Sequence, residues 1–267
     1  MCVLATLERR KSTPLGPVAV THSPVDVHVI EDGGRQVRCA RLTGDDVTDA
    51  VASHLQMVDV QRLDVEDAGD QLIAFLSRHA AQLTGLESLS ITWTPMKAVP
   101  GPWTRSLLPR LRSVSLTRNR LRSVDGIESA SCDRLETLDL GNNMIGALPR
   151  HFGRAMPHLT ALVLTGNGLR ALPDGVGRLS RLRSLECAGN KLAKLPASVG
   201  DLCELRLLDV SANNLAALPD NIGQLAKLKH LRASGNRLSA VRTLSKSSQL
   251  RYTVTLKTVA TPTVHAV

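Results

Sequence analysis

Asparagine recurs at Asn119, Asn143, Asn167, Asn190, Asn213 and Asn236, at intervals of 24, 24, 23, 23 and 23 residues, inside one hydrophobic frame. The segments LETLDLGNNMIGALP, LRSLECAGNKLAKLP and LRLLDVSANNLAALP share leucines at the first and fourth places, an apolar sixth place, the asparagine at the ninth and Leu-Pro at the end. Leu138 and Leu140 alternate with Asp139, the pattern of a short strand with one buried face. The asparagine then turns the chain inward, where its amide can satisfy peptide groups of the neighbouring coil that would otherwise be buried unpaired. One such coil cannot bury its leucines alone, so the coils must stack, each adding a strand to a parallel sheet on the inner side of an arc. The expected fold class is α/β, a solenoid with a curved parallel sheet on its concave face and short helices and 3-10 turns on its convex face.

The period extends beyond the asparagines. One step upstream lie Leu86, Leu89 and Ile91 with Thr94 in the asparagine place, then Val60, Leu63 and Val65, then Val37, Ala40 and Leu42. Val25, Val27 and Val29 alternate before Asp32, Gly33 and Gly34, which predicts a hairpin onto the strand near Val37. Adding 23 to Leu231 and Ala233 gives Val254 and Leu256, so a terminal strand closes the sheet there. The organisation read from these marks is an unstructured tail over 1–22, a cap hairpin and helix with a degenerate first repeat over 23–57, repeats over 58–243, and a cap strand with a tail over 244–267. Leu72, Ile73, Leu76, Ala80 and Leu83 fall at helical spacing, as do Val47, Val51 and Leu55. From Leu148 onward the outer connections shorten to LPDGVGRLSRL, LPASVGDLCEL and LPDNIGQLAKL, room for a single helical or 3-10 turn closed by glycine.

The unit L-P-x-x-I/V-G-x-L-x-x-L-x-x-L-x-L/V-x-x-N-x-L, clearest over 172–238, resembles the intracellular leucine-rich repeats of the Ras group, to which Scribble, Erbin and the Sur-8-type Ras scaffolds belong. The resemblance implies a non-enzymatic scaffold or targeting subunit whose partners are small GTPases, phosphatase subunits or cytoskeletal proteins. The earlier, longer coils look closer to ribonuclease-inhibitor-like repeats.

Composition narrows the class. Only 2% of the residues are aromatic, so leucine and valine are expected to build the core. No stretch reaches the roughly 18 apolar residues that span a membrane, the first residues lack the order of a signal peptide, and no asparagine opens an N-x-S/T acceptor. A cytoplasmic location is expected, with nucleus and cytoskeleton as alternatives. Five cysteines without a clustered cap fit this, Cys187 replacing a core leucine and Cys132 aligning with Leu202. Residues 1–110 carry 11 Lys and Arg against 13 Asp and Glu, a net of −2, leaving 22 against 11, a net of +11, for the remainder of the total +9. That excess could steer an acidic partner or nucleic acid, giving the alternative of a ribonucleoprotein or cytoskeletal component. Arg150, Arg154, Arg170, Arg178, Arg181, Lys191 and Lys194 are spread along the outer connections, as on a solvated convex face.

Strand alternation names the concave face. The fifth place of successive repeats reads Asp64, Ser90, Ser115, Asp139, Val163, Glu186, Asp209 and Arg232, and the third place includes Leu207 and His230. The second place contributes Arg112, Glu136, Thr160, Arg183, Arg206 and Lys229. This mixture of signs suits a protein partner better than a phosphate backbone. The residues expected to contact it are Asp139, Val163, Glu186, Arg206, Leu207, Asp209, Lys229, His230 and Arg232, with Val163, Leu207 and Trp93 as apolar anchors. Chemistry is poorly supplied. Gly44, Asp45 and Asp46 read as a turn and helix cap, Cys132 beside Asp133 falls in a buried register, and His151 and His158 lack a third ligand. No phosphate-cradling glycine loop occurs, so no catalytic, cofactor or metal site is expected. Ser12 ends an RRKS segment that resembles a basophilic kinase site.

Overall fold

The computed structural model describes residues 25–32, 35–43, 60–128, 130–239 and 251–253. Eleven strands form one sheet in strict sequence order. β1 (Val25–Asp32) pairs antiparallel with β2 (Arg35–Thr43), and every later neighbour pair is parallel. The others are β3 (Arg62–Glu66), β4 (Ser88–Thr92), β5 (Ser113–Ser115), β6 (Thr137–Asp139), β7 (Ala161–Val163), β8 (Ser184–Glu186), β9 (Leu207–Asp209), β10 (His230–Arg232) and β11 (Arg251–Thr253). The short strands from β3 to β8 bury their apolar inward residues, two each in β3 and β4 and the central one in β5 to β8, and leave the alternating side chains half-buried. The buried leucines of successive coils form one continuous core. Such a core grows by adding neighbours, so its stability is a sum of coil and interface contributions.

The asparagine amides explain why the period is held. In Asn190, Oδ1 accepts the Leu169 N–H at 3.1 Å, while Nδ2 donates to the carbonyls of Leu164 at 2.9 Å and Cys187 at 3.0 Å. The same three bonds recur at Asn143, Asn167, Asn213 and Asn236. At the degenerate coil of β4 Thr94 donates both its N–H, at 2.8 Å, and its hydroxyl, at 2.7 Å, to Asn119 Oδ1. Just before this corner the backbone turns left-handed in each coil from β3 to β10, at Asp67, Trp93, Arg118, Asn142, Gly166, Gly189, Ala212 and Gly235, with φ between 51° and 69°. At Asn142, Gly166, Gly189 and Ala212 the N–H donates to the next coil, prolonging the ladder past the strands. A non-glycine residue there gives up about 1 kcal/mol or more against a right-handed conformation.

On the convex side the helix expected over 70–83 is α1 (Asp70–His79). The segment with Val47, Val51 and Leu55 lies outside the described residues, as do Gly44, Asp45, Asp46, Ser12 and both tails. Two short helices, α2 (Gly101–Ser106) and α3 (Asp125–Glu128), were not anticipated; α2 opens with Pro102 in its first turn, where a missing N–H costs nothing. After Leu148 the connections are 3-10 turns, Phe152–Ala155, Asp174–Arg178, Ala197–Asp201 and Asp220–Gln224, as their length required. Two expectations need correction. Leu231 pairs with Tyr252, not Val254, so the last connection is two residues shorter than a full period; a shift of two preserves which face each side chain occupies. Leucine dominates the core, yet Phe75, Trp103 and Phe152 are among its largest fully buried side chains, two of them at the start of outer turns or helices. A ring fills the wide outer part of a coil that aliphatic side chains would leave hollow.

Candidate partner-binding surface

Strand register aligns the fifth-place side chains across the concave sheet. Asp139 faces Val163, Val163 faces Glu186, Glu186 faces Asp209 and Asp209 faces Arg232, each on the adjacent strand. The third-place column runs parallel through Ala161, Ser184, Leu207 and His230. Seven of the nine residues expected to contact a partner, Asp139, Val163, Glu186, Leu207, Asp209, His230 and Arg232, lie on one face of β6 to β10, and Arg206 and Lys229 stand one residue before a strand, at its rim. They are not equally free. Asp139 Oδ1 accepts the Gly141 N–H at 2.9 Å, and Asp209 Oδ1 accepts the Ser211 N–H at 3.0 Å while Oδ2 stands 3.5 Å from Arg232. Asp209 is 9% exposed, so both aspartates serve first as turn acceptors. Glu186, which takes a bond from the Ser184 hydroxyl at 3.1 Å, and half-buried Val163 and Leu207 remain open between them. Burial raises the Asp139 carboxyl above its ordinary range and the charge of Glu186 adds to this, against the lowering effect of the Gly141 amide.

At the strand starts a second rail forms. Arg112 bridges Glu136 at 2.8 Å and approaches Glu87 at 3.7 Å, all three largely exposed, so the ladder contributes little to stability. Further along, Arg206, Lys229 and Arg183 are exposed, and Thr160, His158, Arg183 and Glu204 line a shallow depression of about 700 Å3 with Arg112 and Glu136. The basic rail and the acidic column lie three residues apart along each strand, roughly 10 Å. His230 continues the third-place column and Arg232 the fifth-place column as exposed side chains.

Trp93 does not belong to this face. It follows β4 in the left-handed turn, 54% exposed on the ridge where strands end, because the alternation that sets strand faces stops at Thr92. No signal in the repeat pattern marks that ridge as a surface.

The thiols are chemically quiet. Burial, with a smaller contribution from Asp133, pushes Cys132 up to about 12, and burial likewise raises Cys187. A thiol held protonated is no nucleophile. Treating the folded protein with iodoacetamide at pH 8 and mapping the peptides by mass spectrometry is expected to modify exposed Cys203 while leaving Cys39, Cys132 and Cys187 at least tenfold less modified until urea is added. Rapid modification of Cys132 in the folded state would contradict its assignment to the core. Among the described residues no group of three or more His, Cys, Asp or Glu side chains is placed to hold a metal ion.

Sequence comparison matches the pattern to known repeats. A model described as leucine rich repeat matches residues 109–169 and 133–192, and one described as leucine-rich repeat region matches 173–258. The chain is a leucine-rich repeat protein. It is 32% identical over 108 residues to Tsukushi of Xenopus tropicalis, a match covering 39% of this chain and 30% of that protein. A leucine-rich repeat protein of Leptospira interrogans superposes with a TM-score of 0.67 at 27% identity, over 73% of this chain and 48% of the other. The plant peptide hormone receptor RGFR1, in complex with RGF2, shares the fold at 22% identity with a TM-score of 0.62, over 81% of this chain and 35% of the receptor. The matched region thus spans less than half of each of these proteins. Leucine-rich repeat solenoids present their curved inner sheet as an extended binding surface, and no helix among the described residues is long and apolar enough to cross a membrane.

Proposed function

We propose that this leucine-rich repeat protein is a non-enzymatic scaffold or targeting subunit that takes a protein partner on the concave face of β6 to β10. The supporting observation is the in-register pairing of an acidic column with a basic rail around the half-buried side chains of Val163 and Leu207. Apolar anchors ringed by charge of both signs are the anatomy of a specific protein interface. The partner classes are those the Ras-group resemblance implies, a small GTPase, a phosphatase subunit or a cytoskeletal protein. RGFR1 carrying RGF2 illustrates the fold binding a polypeptide. A place inside the cell is part of the same proposal and rests on the free thiols of Cys132, Cys187 and Cys203; fractionation of cells expressing a tagged form checks it.

The test uses Glu186→Lys, Arg206→Glu and Leu207→Asp together, sparing Asp139 and Asp209 because they hold turns. Tagged parent and triple variant, with matching circular dichroism, are purified from their source cells with and without nuclease. Proteins retained by the parent through nuclease treatment are expected to fall at least tenfold on the variant. Retention that is unchanged by the variant, or that disappears with nuclease, would overturn the reading and move binding to the exposed outer cations around Arg150, Arg178 and Lys194.

A further inference from the structure

The ridge of left-handed residues is decorated in one half only. Gly166, Gly189 and Gly235 fill it without a side chain and Ala212 with a methyl group, whereas Asp67, Trp93, Arg118 and Asn142 stand there consecutively in the preceding coils. Glycine adopts this conformation freely and a tryptophan does not, so the fold alone would favour glycine at position 93 as it does at 166. The strained side chains also cluster with the exposed apolar surface. Of the three exposed large hydrophobic side chains among the described residues, Trp93 and Met144 line the same depression of about 800 Å3, together with Asp67, Arg118, Arg120 and Asn142. The Arg118 guanidinium lies over the Trp93 ring, 4.9 Å from its centroid. Two exposed guanidinium groups stand against one carboxylate in this depression, and neither Arg118 nor Arg120 has an ion pair among the described residues.

We propose that this ridge is a second binding site, separate from the concave face, for an extended acidic peptide segment of a partner protein. An apolar side chain of the segment would lie in the slot between Trp93 and Met144, and a neighbouring carboxylate would meet Arg118 and Arg120. Charge complementarity selects the occupant: the excess guanidinium charge favours an acidic segment, and Arg forks bind carboxylates bidentately. A single-stranded nucleic acid suits the site less well. One face of the ring is already covered by Arg118, no second aromatic continues a stack, and Asp67 repels phosphate.

The experiment probes an array of 12-residue peptides graded in net charge and apolar content, with a 12-residue oligouridine included. Three variants are compared with the parent: Trp93→Gly, the pair Arg118→Glu with Arg120→Glu, and the concave triple variant. Acidic peptides containing Phe or Leu are expected to bind best and to shift the emission of Trp93, the exposed one of the two tryptophans, Trp103 being fully buried. Trp93→Gly is expected to weaken this binding at least tenfold while its Tm stays at or above that of the parent, and the arginine pair to weaken it similarly. The concave triple variant is expected to bind as the parent does. A preference for basic peptides or for oligouridine, retention by Trp93→Gly, loss on the concave variant, or a Tm of Trp93→Gly several degrees lower would each overturn the proposal. The last result would make the ring a packing element.

Discussion

Replacing Asn190 by alanine is expected to destabilise the protein by about 3 kcal/mol, and the cost can be built from individual bonds. The Leu169 N–H has no acceptor other than Asn190 Oδ1 in the structure, so it becomes a buried orphan donor, about 1–3 kcal/mol. The Leu164 and Cys187 carbonyls each lose one of two donors and keep the other, from Asn167 at 3.0 Å and Asn213 at 2.9 Å, which holds their share to about 1 kcal/mol each. Each of these carbonyls therefore serves the asparagine of its own coil and that of the next. Asn236→Ala removes the same three bonds where the amide is only partly buried, and water can take its place, so about 1 kcal/mol is expected. Position matters as well as bonding. A weakened coil in the middle of a solenoid uncouples the two flanks, so Asn190→Ala should also lower the m-value or split the transition. Urea unfolding followed by circular dichroism measures both; equal small losses for the two variants would show that the amide ladder is not what ties the coils together.

The columns of the concave face were legible because period and alternation are both rigid. Once a coil length of 23 or 24 residues is fixed by the asparagine, Asp139, Val163, Glu186 and Asp209 can only align. The roles of two of them were hidden, since nothing in the pattern distinguishes a carboxylate that faces a partner from one that accepts its own turn's amide, as Asp139 and Asp209 do. Trp93 was misplaced because nothing in the pattern shows that the chain leaves the strand after Thr92 and enters a left-handed turn. The rings in the core were missed because three aromatic side chains vanish in a composition yet decide the packing of the coils that hold them, and the terminal strand slipped by two residues because no asparagine follows Asn236 to hold the register.

Gly153→Ala is expected to cost about 2–4 kcal/mol, although it adds a single methyl group to a turn far from the sheet. The 3-10 turns Phe152–Ala155 and Asp174–Arg178 nest so closely that a Cβ on Gly153 would run into the Gly175 carbonyl and come within 3.3 Å of Leu179 Cγ. Gly175 is confined in turn, a Cβ there lying 2.6 Å from the Arg150 carbonyl. A flexible side-chain tip could move aside, but a carbonyl anchored in a turn moves only with its coil, so the two coils must separate along the convex side. Gly146→Ala is the matched control. Nothing lies within 4 Å of its Cβ and its φ is not in the left-handed region, so stability should change by no more than about 0.5 kcal/mol, or rise as the unfolded chain loses freedom. Thermal and urea unfolding of the two variants side by side decide the matter: a Gly153→Ala loss no larger than that of Gly146→Ala would mean that the convex turns can slide apart freely and that the amide ladder and leucine core alone set the spacing of the coils.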